Sequence, residues 1–145
     1  MEARRVWNPP SRPVVLLLDD HEDTLALYGI ALSGMGFDVV VAREGDEALR
    51  RASAMPPDII AAALPIRSGD ASTFLRRLRR DVATRDLPVV AFTGCLRPSA
   101  DEPTEAGEFL AFFENCLPDT LGEGLRQALA HAIRPQDVSG RVRRR

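Results

Sequence analysis

Residues 57–71 read Pro-Asp-Ile-Ile-Ala-Ala-Ala-Leu-Pro-Ile-Arg-Ser-Gly-Asp-Ala, and this stretch decides the fold that the sequence predicts. The uncharged run at 59–64 follows a Pro-Pro-Asp turn and has the length of a strand buried on both faces, as in the middle of a parallel sheet. In open parallel sheets, ligands and chemistry lie just beyond the carboxyl ends of the strands. Around Ala63, at that end, the sequence has no side chain that could do chemistry.

Strands and helices are predicted to alternate on either side of this stretch. Further apolar runs predict strands at 14–18, 37–42, 87–93 and 109–113. Apolar residues at three- and four-residue steps predict four helices between and after them, with one or two weak turns within 95–106. The alternation implies right-handed βαβ units. We therefore expect an α/β fold with a doubly wound, five-stranded parallel sheet of order 2-1-3-4-5, in a flavodoxin-like three-layer sandwich.

The composition is that of a single soluble globular domain. Apolar residues make up 45% of the chain and charged residues 28%, and the net charge of −2 gives no overall electrostatic case for nucleic acid. No apolar run approaches the ~20 residues that span a membrane, and the N-terminus lacks a secretory signal. With two cysteines and no disulfide framework, the cytoplasm is the expected compartment.

Two polar ends are expected to flank the domain, which we place at residues 13–133. Residues 1–12 predict a flexible leader, and residues 134–145 predict a basic flexible tail. The tail arginines could touch nucleic acid, but no basic surface of the fold supports them, so a disordered end is the better interpretation. All 19 basic residues are arginine, which excludes any mechanism that needs a lysine amine from this chain.

Several short motifs, in this order, resemble the receiver domain of bacterial two-component response regulators. The motifs are Asp19-Asp20 after the first strand, Pro57-Asp58 before the third, the segment 79–90 entering the fourth, Thr93 closing it, and Pro118-Asp119 opening the last helix. In that family an acidic pair and an aspartate ending the third strand bind Mg²⁺, and that aspartate accepts a phosphoryl group from a histidine kinase. A hydroxyl ends the fourth strand, a lysine ends the fifth, and an aromatic residue three places before the lysine reports the state to partners.

Carried over residue by residue, this motif is only partly present. Asp19 and Asp20 match the acidic pair, and Thr93 matches the hydroxyl position. The positions of the acceptor, the lysine and the switch aromatic fall on Ala63, Glu114 and Ala111. The resemblance is therefore to a degenerate form of the family, a pseudo-receiver.

The acceptor substitution has a direct chemical consequence. A methyl group has no oxygen to attack phosphorus, so the family's covalent step cannot occur at Ala63. Phosphoryl transfer also needs a metal and cations to neutralise developing charge, whereas here one carboxylate ligand is lost and the lysine becomes an acid. We expect no resident cofactor, and at best weak Mg²⁺ binding by Asp19 and Asp20.

The remaining acids raise a question of charge. Asp19, Asp20 and Glu114 are expected to converge at the carboxyl edge, where their repulsion would raise the pKa of at least one carboxyl group. A guanidinium from Arg67 or Arg97, both on loops over this edge, would compensate them. The alternative is that Glu114 turns outward into water.

Two cysteines follow the matched positions on neighbouring strands. Cys95 and Cys116 each lie two residues past such a position, so we expect them to be close in space. Reduced thiols are the better interpretation than a redox disulfide, because cytosolic cysteines are mostly reduced.

Three functional hypotheses follow from different classes. The leading one is a non-enzymatic module, in or derived from phosphorelay signalling, that contacts a histidine kinase or another signalling protein without being phosphorylated. The second is a conventional receiver phosphorylated at a non-standard residue. The third, a metal-dependent phosphatase-like enzyme using Asp19 and Asp20, lacks a nucleophile at the right strand end. No membrane partner is expected, and a homodimer stays open.

Overall fold

The computed structural model describes residues 12–66, 71–96 and 109–132. Strands and helices alternate through these ranges as the sequence predicts. The elements are β1 (Val14–Leu18), α1 (Glu22–Gly34), β2 (Asp38–Ala42), α2 (Gly45–Ala54), β3 (Ile59–Ala63), α3 (Ala71–Arg80), β4 (Val89–Gly94), β5 (Ala111–Cys116) and α4 (Pro118–Ala132).

The five strands form one parallel sheet of order β2-β1-β3-β4-β5, which confirms the predicted topology. All five residues of β3 are buried, because β1 and β4 pair with its two sides and helices cover both faces of the sheet. This arrangement explains why β3 is a continuous apolar run and not an alternating one.

Two apolar clusters lie between the sheet and the helices that cover its two faces. One contains Leu17 and Ala61 from the sheet with Leu25 of α1 and Leu125 of α4. The other lies on the opposite face and is built around the inward side chains of α2 and α3, such as Leu75. Because neighbouring residues of a strand point to opposite faces, β1 contributes alternate leucines to the two clusters.

The fifth strand lies later in the chain than predicted. The sequence predicts it at 109–113, but pairing with β4 begins at Ala111 and continues through the polar residues Glu114 and Asn115. Phe109 instead precedes the strand and is buried in the cluster that faces α2 and α3. The prediction was wrong because an edge strand can extend through polar residues that face water, where apolar periodicity gives no signal.

The N-terminal end of the described chain is held by Arg12. Its guanidinium donates to the Asp38 carboxylate at 2.8 Å, to the Ser33 carbonyl at 2.9 Å and to the Phe37 carbonyl at 2.7 Å. Residues 1–11 of the predicted leader, the predicted tail 134–145 and most of the segment 95–106 lie outside the described residues. None of the helices in the described ranges combines the length and the apolar character that a membrane span requires.

Candidate functional site

The register of the sheet brings Asp19, Ala63 and Thr93 to one edge. Leu18 of β1 pairs with Ala62, so Asp19 and Ala63 follow one residue later on adjacent strands. Ala63 pairs with Phe92, and Thr93 follows Phe92 on β4. This edge is the carboxyl end of the parallel sheet, where open α/β folds bind ligands. Ala63 is only 7% exposed and belongs to the apolar cluster that faces α1 and α4.

Asp19, Asp20 and His21 form a compact cluster between β1 and α1. The His21 Nδ1 atom lies 2.9 Å from Asp20 Oδ1 and 3.3 Å from Asp19 Oδ1. The His21 backbone N–H also donates to Asp19 Oδ1 at 3.2 Å. Burial raises the pKa of the Asp19 carboxyl above its ordinary value, and the hydrogen bonds from His21 oppose that shift.

Glu114 is exposed and does not join this cluster. Among the described residues, the metal-ligating side chains that come within 4.8 Å of one another are those of Asp19, Asp20 and His21. The outward orientation of Glu114 agrees with the alternative in which it turns into water. Arg67 and Arg97, the two arginines expected to compensate the acids, lie outside the described residues.

A β-bulge explains why the end of β5 departs from the expected geometry. Phe92 pairs with Phe113 and Gly94 pairs with Cys116, so β5 contains one more residue than β4 over this interval. Asn115 within the bulge has φ 47°, a left-handed conformation that asparagine tolerates better than most residues.

The Thr93 hydroxyl is engaged by this bulge. The Asn115 backbone N–H donates to Thr93 Oγ1 at 2.6 Å, and the Thr93 hydroxyl donates to Asn115 Oδ1 at 3.0 Å. Thr93 is 1% exposed. Its hydroxyl therefore has both a donor and an acceptor partner within the protein.

Tyr28 of α1 links the ends of β4 and β5. Its buried hydroxyl accepts a hydrogen bond from the Cys95 backbone N–H at 2.8 Å and donates to the Cys116 carbonyl oxygen. Both cysteines are free thiols, and burial raises the pKa of the Cys116 thiol to about 11. Apolar periodicity does not predict this polar role of Tyr28, and its signal in the sequence is a single phenol among the aliphatic side chains of the helix.

Ala111, the switch-aromatic position, is half-buried at the start of β5. It packs against the cluster that faces α1 and α4, as does Phe113, whereas Phe112 packs against the opposite cluster. The aromatic side chains of β5 thus contribute to both faces of the sheet.

No protein-family model matches the chain. Two bacterial regulators nevertheless have sequences similar to that of this chain. The transcriptional regulatory protein TrcR of Mycobacterium tuberculosis is 29% identical over an alignment of 146 positions, which covers 95% of this chain and 55% of that protein. The master transcriptional regulator RpaA of Synechocystis sp. is 36% identical over 81 residues, which cover 56% of this chain and 34% of that protein. The alignments thus span from about a third to just over half of these relatives' length.

Solved structures give the same picture. The N-terminal domain of a response regulator receiver protein from Methanoculleus marisnigri has 28% identity and a TM-score of 0.60, over 82% of this chain and 94% of that one. A putative response regulator from Chloroflexus aurantiacus has 24% identity and a TM-score of 0.70, over 82% and 98%. The chain therefore has the flavodoxin-like fold of response-regulator receiver domains, and the curated relatives described above are transcriptional regulators.

Proposed function

We propose that this chain is a pseudo-receiver, a signalling module that works through protein–protein contact and carries no phosphoryl group at its sheet edge. The observation that carries this proposal is the methyl group of Ala63 at the end of the central strand. A methyl group has neither a nucleophilic oxygen nor a metal-binding atom, so it supports neither acyl phosphate formation nor a third carboxylate ligand.

Two further contacts support the proposal. The Thr93 hydroxyl already has both hydrogen-bond partners in Asn115, so contacting a phosphoryl oxygen would require breaking that pair. Glu114 stands at the family's lysine position and is exposed, so this position supplies no cation to an incoming phosphate. The edge therefore opposes phosphoryl transfer in three separate ways.

The proposed partner is a signalling protein of the phosphorelay type, such as a histidine kinase, met in the cytoplasm. We place the contact on the β5 surface, defined as Leu110 and Leu117. Leu110 is 41% exposed and Leu117 is 56% exposed, at the two ends of an edge strand. Exposed leucines beside an edge strand are features of a protein contact.

Incubation with acetyl phosphate and Mg²⁺, followed by intact-mass measurement, tests the phosphorylation part. The wild-type chain is expected to gain no phosphoryl group, and the Ala63→Asp, Glu114→Lys double variant, which restores two family residues, is the matched gain-of-function control. A stable phosphoryl adduct on the wild-type chain would contradict the proposal and favour the second hypothesis. Steady release of inorganic phosphate would favour the phosphatase hypothesis.

Site-specific photocrosslinking in the native cell tests the contact. A photoreactive residue at Leu110 or Leu117 is expected to capture a defined signalling protein. Val82, which is 74% exposed between α3 and β4, provides the control position. Capture from Ile30 on α1, which is 75% exposed, with none from β5 would place the contact elsewhere and contradict the assignment of the β5 surface.

A further inference from the structure

Helix α3 carries four arginines and no acidic side chain. Its residues read Ala-Ser-Thr-Phe-Leu-Arg-Arg-Leu-Arg-Arg, and the large apolar side chains among them are buried in the cluster that contains Leu75. The four arginines, all exposed, are Arg76, Arg77, Arg79 and Arg80. Like charges one helical turn apart, as in Arg76 and Arg80, repel each other. A negative charge brought to this face of the helix is therefore attracted to it.

Two of these guanidinium groups have no carboxylate partner among the described residues. Arg77 turns toward α2 and pairs with Asp46 at 2.6 Å. Arg76 instead donates to two side-chain hydroxyls of the first turn of α3, both at 3.4 Å, and hydroxyls leave its charge uncompensated. Arg80 forms no ion pair within the described part of the chain. The face of α3 that carries Arg76 and Arg80 therefore keeps two positive charges available to a ligand.

A cleft beside α3 brings these two groups together. Its volume is about 430 Å³, and the described part of its lining is Leu75, Arg76, Arg79 and Arg80. The Arg79 side chain is held in place, because its guanidinium donates to the carbonyl oxygen of residue 85 at 3.0 Å and to that of residue 87 at 2.8 Å. A side chain that is already ordered loses less entropy when a ligand binds against it. The cleft thus has one fixed side, beside the charges of Arg76 and Arg80.

We propose that this cleft binds an acidic peptide segment of a partner protein, whose carboxylates contact Arg76 and Arg80. A guanidinium forms two parallel hydrogen bonds to a carboxylate, and arginine clusters recur in proteins that recognise acidic motifs. Residues four apart on a helix are separated by a rise of about 6 Å. Alternate residues of an extended peptide point to the same side and lie about 6.6 Å apart. A segment with an acidic residue at every second position therefore matches the spacing of the two arginines.

The charge around the cleft favours a peptide over a nucleic acid. A nucleic-acid site needs a positive surface that contacts several phosphates. The arginines of α3 span little more than one helical turn. The neighbouring α2 does not extend that surface, because its acids Asp46 and Glu47 balance Arg50 and Arg51. The proposal goes beyond the pseudo-receiver hypothesis and uses none of the residues of the β5 surface, so either can fail without the other.

NMR titration of the full chain with a synthetic peptide tests the proposal. The probe is an acetylated peptide of alternating glutamate and serine, and its control has glutamine in place of each glutamate. At low salt the glutamate peptide is expected to shift the side-chain N–H signals of Arg76 and Arg80. The signal of Arg77 is expected to stay unchanged, because its guanidinium already has a carboxylate partner. Added salt should weaken the binding, since it screens exposed charges. Equal shifts of all three arginines, or equal shifts with the glutamine peptide, would overturn the proposal.

Three single variants give a second measurement. Arg76→Gln and Arg80→Gln are each expected to weaken binding of the glutamate peptide about threefold, as for an exposed ion pair. Arg77→Gln is the matched control, because it removes the same charge from the same helix, and it is expected to bind the peptide like the wild type. All three side chains are exposed, and thermal unfolding checks that each variant is folded. Equal losses in the three variants would mean that the peptide responds to net charge alone and would overturn the proposal. Tighter binding of a DNA duplex or of inorganic phosphate through Arg76 and Arg80 would also overturn it, by assigning the cleft to another ligand.

Discussion

Thr93 and Asn115 hold each other through a reciprocal pair of hydrogen bonds, at 2.6 Å from the Asn115 N–H and at 3.0 Å to its side-chain oxygen. The pair joins the ends of β4 and β5 across the β-bulge. It depends on the left-handed backbone of Asn115, which aims both the N–H and the side chain at one hydroxyl.

Asn115→Ala is expected to lower the free energy of unfolding by about 1–3 kcal/mol. The substitution strains the left-handed backbone and removes the acceptor of a buried hydroxyl. Asn115→Gly separates the two causes, since glycine keeps the conformation and loses only the acceptor. Urea denaturation measures all three proteins, and an alanine variant as stable as the wild type would show that the pair contributes nothing.

Tyr28→Phe is expected to destabilise the fold by about 1–3 kcal/mol, because it leaves the half-buried Cys95 N–H and the buried Cys116 carbonyl without their shared partner. The phenyl ring retains its contact with Phe92, 5.5 Å away between ring centroids, so the loss isolates the hydroxyl. Amide hydrogen exchange supplies the local readout. The Cys95 amide should exchange faster in the variant, and equal exchange in both proteins would argue against the bridge.

The same hydroxyl predicts a loss of stability in alkali. Burial raises the pKa of Tyr28 above its ordinary value of 10.0, and a hydrogen bond with the Cys95 side chain adds to that shift, whereas the hydrogen bond from the Cys95 backbone N–H opposes it. The unfolded chain therefore releases its phenolic proton before the folded chain does. The stabilisation is complete below the unfolded pKa and falls as the pH rises toward the folded pKa.

Urea unfolding at a series of pH values between about 8 and 11 measures this slope. Tyr28→Phe should be less stable at neutral pH and show a shallower fall in alkali. The raised pKa of the Cys116 thiol also makes the fold less stable in alkali, so Cys116→Ala is measured beside Tyr28→Phe to separate the two contributions. Because Tyr28 is the chain's one tyrosine, its absorbance titrates directly. Ionisation near the ordinary pKa in the folded state would refute the prediction.

Local sequence patterns predicted the strands of the sheet but not the side-chain contacts at the carboxyl ends of those strands. The predicted first strand at 14–18 coincides with β1, because buried parallel strands are continuous apolar runs. The Tyr28 bridge joins residues 88 positions apart, and the turn of His21 toward both aspartates depends on the geometry of one loop. Neither leaves a periodic signal. The positions of Asp19, Ala63 and Thr93 were predictable because they follow directly from strand ends.

Gly124 and Phe113 are expected to be strongly coupled. A Cβ atom on Gly124 would overlap the Phe113 ring. The absence of a side chain at Gly124 therefore lets α4 pack closely against β5. Gly124→Ala should therefore destabilise the wild-type chain, although alanine favours a helix over glycine by about 1 kcal/mol. In a Phe113→Ala background the overlap disappears, and the same substitution should stabilise. A double-mutant cycle by urea denaturation measures the coupling, and additive effects would contradict it.

Ala63→Asp is expected to make the stability of the fold depend on Mg²⁺. The new carboxylate would lie at the sheet edge beside Asp19, which is already buried, and near Asp20. Repulsion among three carboxylates should lower the free energy of unfolding by about 1–3 kcal/mol without divalent cations. Mg²⁺ at 100 times its dissociation constant should return about 2.7 kcal/mol, because it binds only the folded state.

Ala63→Asn is the matched control for that result, since it adds a side chain of the same size without the charge. Thermal unfolding with and without Mg²⁺ should then separate the proteins: the aspartate variant responds to the ion, and the asparagine variant and the wild type respond little. The comparison isolates the missing carboxylate, because all three proteins keep Asp19 and Asp20. An equal response in wild type and Ala63→Asp would mean that the acidic pair binds Mg²⁺ without a third carboxylate, and that the loss at Ala63 does not disable the metal site.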